Sequence, residues 1–372
     1  MSDTNSLDHF IEDKATPCPA SKARPWWRKW ALPAAALLVL VGLALGLGLG
    51  LGLKMDHGDD NADTNNDNPG TTSDSNGDGN PSGSGNATRP ARNTTNHISS
   101  SVTSMSLNAQ WQIDLIQTLS VSSDGFVSPN GASNPSISVY DIDLFNHQNL
   151  TTVRDLQKLG MTVICYFSSG SYESGRPDSW KFQASDKGSE LDGWPGEYWL
   201  NLSSSNVRSI MSDRIAIAAS VGCDAIDPDN VDGYDNANGL GLTPQDSIDF
   251  VRFLASEAAR HGMMTGLKNA ADVIDGVLDV VAFSVNEECV ANSECDSFAA
   301  FPQKGKPVFN IEYPLGTKDI SGQPFSADLV SKYCDKSSTG NGGTGFNTVL
   351  KGMTLDGFVE YCNSKVYTTN GQ

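Results

Sequence analysis

Residues 31–53 hold no charged side chain, and residues 56–106 hold almost no large apolar one. The first absence predicts a bilayer-spanning helix, because an uncharged apolar run of that length reaches across the hydrocarbon core. The second predicts a disordered stalk over residues 54–106, since such a segment cannot bury enough apolar surface to offset its ordering entropy. Histidine is scarce, at 5 scattered residues, and the 7 cysteines form no C-x-x-C pairs, which disfavours a zinc site. Basic residues are outnumbered, 25 Lys and Arg against 44 Asp and Glu, for a formal net charge of -19. A chain of that sign offers no basic face to a phosphate backbone, so nucleic acid is not an expected partner. No metal or cofactor is called for.

The flanks of the apolar run set its orientation. Lys22, Arg24, Arg28 and Lys29 precede it, whereas Lys54 is followed by Asp56, Asp59, Asp60 and Asp63. The positive-inside rule then makes residues 1–30 a cytoplasmic tail and puts everything after residue 53 outside the plasma membrane, a single-pass type II topology. A cleaved signal peptide fits less well, because the run is too long and starts too far from the N-terminus. The cysteines agree. Only Cys18 lies on the cytoplasmic side, and Cys165, Cys223, Cys289, Cys295, Cys334 and Cys362 fall in the oxidising compartment. Cys289 with Cys295 and Cys334 with Cys362 are the expected pairings, although the sequence leaves other connectivities open. Glycosylation sequons stand at Asn86, Asn93, Asn149 and Asn201.

Residues 107–372 read as one globular domain. β-like runs recur at 111–115, 137–144, 162–168, 224–229, 264–269, 280–286, 307–313 and, more weakly, 346–352. Helical spacing of apolar residues fills 203–221 and 244–261, the second opened by Thr243-Pro-Gln-Asp246 as a capped start. This alternation predicts an α/β fold, a (β/α)8 TIM barrel. A doubly wound open sheet is the alternative, but no glycine-rich phosphate fingerprint follows its first strand.

Nearly every one of these runs ends in a polar side chain. Asp227, Asp229 and Asp232 follow one strand, Glu287 and Glu288 another; Asp141, Asp143, Tyr166, Lys268, Asn269, Glu312 and Tyr313 close others. Strand-end acids are how such barrels build active sites, and two carboxylates from different strands are the minimum for hydrolysing a glycosidic bond. An acidic cup of this kind favours a neutral or cationic ligand. Trp180, Trp194 and Trp199, in the long connection after the third strand, either stack on sugar rings or staple that loop to the barrel.

Together these residues resemble glycoside hydrolase family 114, the endo-α-1,4-polygalactosaminidases. The resemblance is carried by WQIDL at 111–115, VYDIDLF at 139–145, VICYFSSGSYESGRPD at 163–178, GWPGEYWLNL at 193–202, GCDAIDPDNVDGY at 222–234, GLKN at 266–269, FSVNEEC at 283–289 and PVFNIEY at 307–313. It implies an endo-acting hydrolase of α-1,4-linked galactosamine polymers such as deacetylated galactosaminogalactan, a cationic polysaccharide; the alternatives are a hydrolase of another α-linked galactose or amino-sugar polymer and a non-catalytic carbohydrate-binding wall protein. It also selects one acid from each cluster, Asp229 and Glu287, as the catalytic pair. The working assignment makes Asp229 the nucleophile or base and Glu287 the proton donor, with the exchanged roles open. Asp141, Asp143, Tyr166, Asp227, Lys268, Glu312 and Trp194 are the candidate substrate contacts. Asn201 stands where relatives often carry an aspartate.

Overall fold

Each of the eight β-like runs supplies a strand: β1 Gln110–Asp114, β2 Ile137–Asp143, β3 Thr162–Ser168, β4 Ala225–Asp229, β5 Met264–Lys268, β6 Phe283–Glu287, β7 Val308–Glu312 and β8 Phe346–Leu350. The computed structural model describes residues 104–369 except 120, 123–124, 127–136, 150, 317–321 and 336–344. The expected tail, membrane span and nearly all of the stalk, with the sequons at Asn86 and Asn93, lie outside the described residues. Among the described residues no helix is long and apolar enough to cross a membrane.

The eight strands pair in chain order, each parallel to the next. The sheet curls into a barrel-like α/β fold, with its apolar interior inside and helices outside. Two long helices pack on each other, the second also against β4 and β5. Helix α1, Ser205–Val221, is capped by Ser204 and stopped by Gly222 at φ 103°; α2, Pro244–Arg260, opens on the expected Thr243/Asp246 capping box. Val207, Met211, Ile215 and Ala218 on α1 and Phe250, Val251, Leu254 and Ala258 on α2 are fully buried at helical spacing. The β5–β6 and β6–β7 crossovers are built from single turns, Ile274–Val277, Cys289–Asn292 and Ala300–Gln303.

Two additions depart from a simple barrel. A three-stranded antiparallel sheet of Ser171–Tyr172, Tyr198–Leu200 and Lys187–Glu190 is inserted after β3. It buries Trp199, whereas Trp180 and Trp194 stay 79% and 57% exposed. At the other end β9, Phe358–Tyr361, and β10, Val366–Thr368, extend the sheet to ten strands.

Strands β1 and β8 touch without a backbone ladder among the described residues, and side chains close the seam. Trp111 Nε1 donates to Asn347 O at 2.7 Å, and Tyr361 Oη to Trp111 O at 2.8 Å. Lys351 Nζ donates to Gln112 Oε1 at 2.8 Å, Ile113 O at 2.5 Å and Asp356 O at 2.8 Å. Burial pulls this lysine's pKa down to about 7 despite the nearby Asp114 and Asp356. The disulfides are Cys289–Cys295 and Cys334–Cys362, as expected, and Cys165–Cys223, which ties β3 to the turn before β4.

Candidate active site

Parallel strands bring their carboxyl ends to one face, and three consecutive ones end in ionisable residues: Asp229 on β4, Lys268 on β5 and Glu287 on β6. Lys268 Nζ lies 3.3 Å from Asp229 Oδ1 and 3.4 Å from Glu287 Oε2, so one ammonium serves both acids. The lysine side chain is 2% exposed, those of Asp229 and Glu287 17% and 27%, which puts the carboxylates on the open face and the cation behind them. A tyrosine takes an oxygen of each acid. Tyr166 Oη donates to Asp229 Oδ2 at 2.8 Å and Tyr313 Oη to Glu287 Oε1 at 2.5 Å. Asn269 completes the cradle, donating to Glu287 Oε2 at 3.1 Å and accepting the Glu287 N–H at 3.0 Å.

The backbone is bent to hold this arrangement. Asn230, Asn269, Ala270 and Glu288, immediately beyond β4, β5 and β6, all adopt positive φ, between 49° and 61°. Left-handed non-glycine residues cost about 1–3 kcal/mol each and persist where the surroundings over-determine them. Asp229 O accepts Ser169 N, Gly170 N and Ser169 Oγ at 2.9, 3.0 and 2.9 Å, which pins the residue. That approach requires glycine at 170, because a Cβ there would stand 1.7 Å from Asn230 O.

Charge is balanced unevenly around Lys268. Burial alone would lower the lysine's pKa, but Asp229, Glu287, Asp227 and Asp141 outweigh it and hold the ammonium charged. Burial pushes Glu287 up, and Lys268, Tyr313 and Asn269 more than reverse this, leaving its carboxyl below the usual range. Elsewhere burial prevails. It raises Asp141 well above the usual range, with Asp227 adding to the effect, and lifts Asp227 and Asp232 to about 7. Glu197 also rises to about 7, through burial and then the charges of Glu173 and Asp229, and Asp114 rises to about 6.

A carboxyl whose folded pKa is raised lends stability that is complete below its unfolded value, about 4, and is lost as pH climbs through the folded value. Five such groups make folding stability fall with rising pH between about 4 and 7. Lys351 acts in the opposite sense but mainly above pH 7, and His147, lowered by burial, acts in the opposite sense below its usual value of about 6.5. The thermal unfolding midpoint is therefore expected to be higher at pH 5 than at pH 7.5; an equal or lower midpoint at pH 5 would contradict these shifts.

Of the expected substrate contacts, Tyr166 and Lys268 stand behind the two acids and Trp194 is exposed on its loop. The other four are buried. Asp143 is 1% exposed; it caps the turn Leu144–His147 and pairs with Arg176 Nη1 at 2.6 Å. Glu312 is fully buried, accepting Val290 N, Ala291 N and Asn310 Nδ2 and so anchoring the turn after β6. Asp141 and Asp227 are fully buried beneath Lys268. Strand-end reasoning marks Tyr313 and Asn269 but gives them no contact, and it misses Arg176, Glu173 and Glu197. Arg176 holds Glu173 through both carboxylate oxygens, at 2.7 and 2.8 Å.

Two carboxylates held at the open end of a curled sheet can flank a glycosidic bond. Among the described residues no group of three or more His, Cys, Asp or Glu is placed to hold a metal. Two cavities of about 390 and 480 Å³ lie elsewhere, beside Met105 and Lys306 and beside Trp111 and Tyr361.

The profile described as glycoside-hydrolase family GH114 matches residues 91–367. Among solved structures, the chain is similar to Aspergillus fumigatus Ega3 in complex with galactosamine, at 48% identity and a TM-score of 0.62, over 69% of this chain and 96% of that one. The glycoside hydrolase domain of PelA from Pseudomonas aeruginosa aligns at 12% identity and a TM-score of 0.47, over 66% of this chain and 96% of that one. No curated protein matches.

Proposed function

The chain belongs to glycoside hydrolase family GH114, and from that premise we propose that it cleaves within α-1,4-linked galactosamine polymers, with Asp229 and Glu287 as the catalytic carboxylates. The observation that carries the reading is the pair itself: two partly exposed acids from β4 and β6, each fixed by a tyrosine and both set on one buried ammonium. The galactosamine-bound relative supports an amino-sugar substrate. A deacetylated polymer is cationic, and the surplus of carboxylates around the site concentrates it.

In this reading Asp229, with its backbone pinned, attacks, and Glu287 protonates the leaving oxygen. One lysine nitrogen bridges the two acids, so the facing oxygens stand roughly 7 Å apart at most. That bound admits the separation of about 5–5.5 Å typical of retention. The first product is expected to retain the α configuration, which proton NMR during the opening minutes of hydrolysis reports; β product at that stage would refute retention.

A proton donor held below the usual range is protonated only in acid. Hydrolysis should therefore slow as pH rises, with its optimum on the acid side of neutrality. A rate that climbs toward alkaline pH would count against Glu287 as the proton donor. The direct test incubates the purified chain with deacetylated α-1,4-galactosamine oligomers and follows products by mass spectrometry. Internal cleavage is expected; oligomers left intact would refute the substrate.

We also propose that residues 31–53 anchor the chain in the plasma membrane, with the TIM barrel of residues 107–372 outside on the 54–106 stalk. The charge bias of the flanks supports this orientation, and three disulfides suit an oxidising compartment. Protease added to intact cells should shed the hydrolase, and failure to do so would count against the topology.

A further inference from the structure

Close to the two working acids lies a second carboxyl pair, sealed from solvent. Asp141 comes from β2 and Asp227 from β4, alternate strands whose inward side chains share a layer of a barrel. Both residues are 0% exposed. All four of their carboxylate oxygens are buried without an N–H or O–H donor from any other group. Each carboxyl acts on the other's charge, and with no other donor in reach a hydrogen bond between the two is the one way left to satisfy them. A carboxylate only accepts, so a hydrogen bond between two carboxyls requires a proton on one of them. Two bare carboxylates in contact away from water would repel strongly, and sharing one proton removes the repulsion.

The groups that face this pair are few. Lys268 reaches it from β5, Asp229 from its own strand β4 and Glu287 from β6, while Tyr166 on β3 lies under the lysine, its ring 5.6 Å from Nζ. Lys268 therefore sits between two sets of anions, one open to substrate and one sealed below. We propose that Asp141 and Asp227 share a single proton and act together, through Lys268, as positioning residues that set how strongly the lysine charge is felt by Asp229 and Glu287. With one proton held between them the pair carries one negative charge, which takes up part of the lysine's field. Without that charge the whole field falls on the working acids, and Glu287 becomes harder to protonate.

Asparagine tests this, because it copies the size and hydrogen bonding of a protonated aspartate. The proposal rests on the catalytic reading above, so it is read in two ways, one needing turnover and one not. For the full-length protein, the pH profile of kcat/KM is compared among wild type, Asp141→Asn, Asp227→Asn and the double variant. Each single variant keeps one acid and one negative charge, and its profile should stay within about 0.3 pH unit of wild type. The double variant loses the charge, and its profile should move to lower pH by about one unit. A double variant with wild-type limbs, or one merely scaled down in rate, would overturn the proposal. Alanine at either position should lose far more rate than asparagine.

The second reading is the infrared difference between wild type and Asp141→Asn at pH 8. A protonated carboxyl C=O band should be present in wild type and lost in the variant; its absence from wild type would also overturn the proposal. A wild type inactive on galactosamine oligomers would sink the functional reading alone, since the infrared result stands without turnover.

Discussion

Asp229→Asn and Glu287→Gln are each expected to abolish cleavage, with losses on the order of 10²–10⁴-fold for the proton donor and at least as large for the nucleophile. The amides keep the volume of the acids and still accept from Tyr166 and Tyr313, so packing changes little. What disappears is a negative charge at the sugar and a group able to attack or to exchange a proton. Mass spectrometry of products after long incubation reads the loss, and thermal unfolding run alongside separates it from misfolding. A fully active variant at either position would remove that residue from the pair. Each substitution also leaves Lys268 with one fewer anion on its open side, so the surviving acid should titrate lower than before.

Arg214→Ala should be the most damaging change outside the site. Arg214 rises from α1 with 0% exposure and grips both oxygens of Asp178 at 2.8 Å. A third donor reaches Ser168 O at 2.6 Å, at the very end of β3. The guanidinium also lies 5.1 Å from the Phe145 ring centre and 5.6 Å from that of Phe182. Removing it strands the buried Asp178 charge, a defect that costs about 3–5 kcal/mol. A whole domain is stable by only about 5–15 kcal/mol. The expected result is a lower unfolding midpoint together with weaker activity, because β3 carries Tyr166 to Asp229. Arg252→Ala makes the control. Its pair with Asp279 is exposed on both sides, where solvent screens most of the attraction. Similar losses for the two variants would refute the distinction.

The strands and the two long helices are legible in the sequence because local signals agree there. β-branched and aromatic runs end in polar residues, and Thr243 and Asp246 announce α2 by their spacing. The inserted sheet is hidden for the opposite reason. Its strand Lys187–Glu190 reads KGSE, with no β-forming residue, and exists because Tyr198–Leu200 lies beside it. β6 also begins later than its apolar run suggests, since Val281 N is taken by Val277 O in the preceding turn.

For the site, period and position show which side chains reach the open end but not how deep each one stops. Asp141 and Asp227 share the strand-end signature of Asp229, and only the curvature of the sheet puts them below Lys268. Asp143 looks like a binding acid until Arg176 arrives from the connection after β3, 33 residues on. Glu312 likewise meets Val290 and Ala291 only across the preceding crossover. Long-range pairings of this kind leave no periodic trace.

The seam between β1 and β8 imposes a schedule on the newborn chain. Gln112 meets Lys351 across 239 residues and Trp111 meets Asn347 across 236, so the earliest strand made must wait for one of the last. Until Lys351 leaves the ribosome, β1 presents an open edge and the buckle that closes the hoop does not exist. Contacts so distant along the chain slow folding, and an unpaired edge invites wrong partners in the meantime. The barrel's final turn is thus a matter of timing as much as of energy: every strand is in place before the first one can be locked.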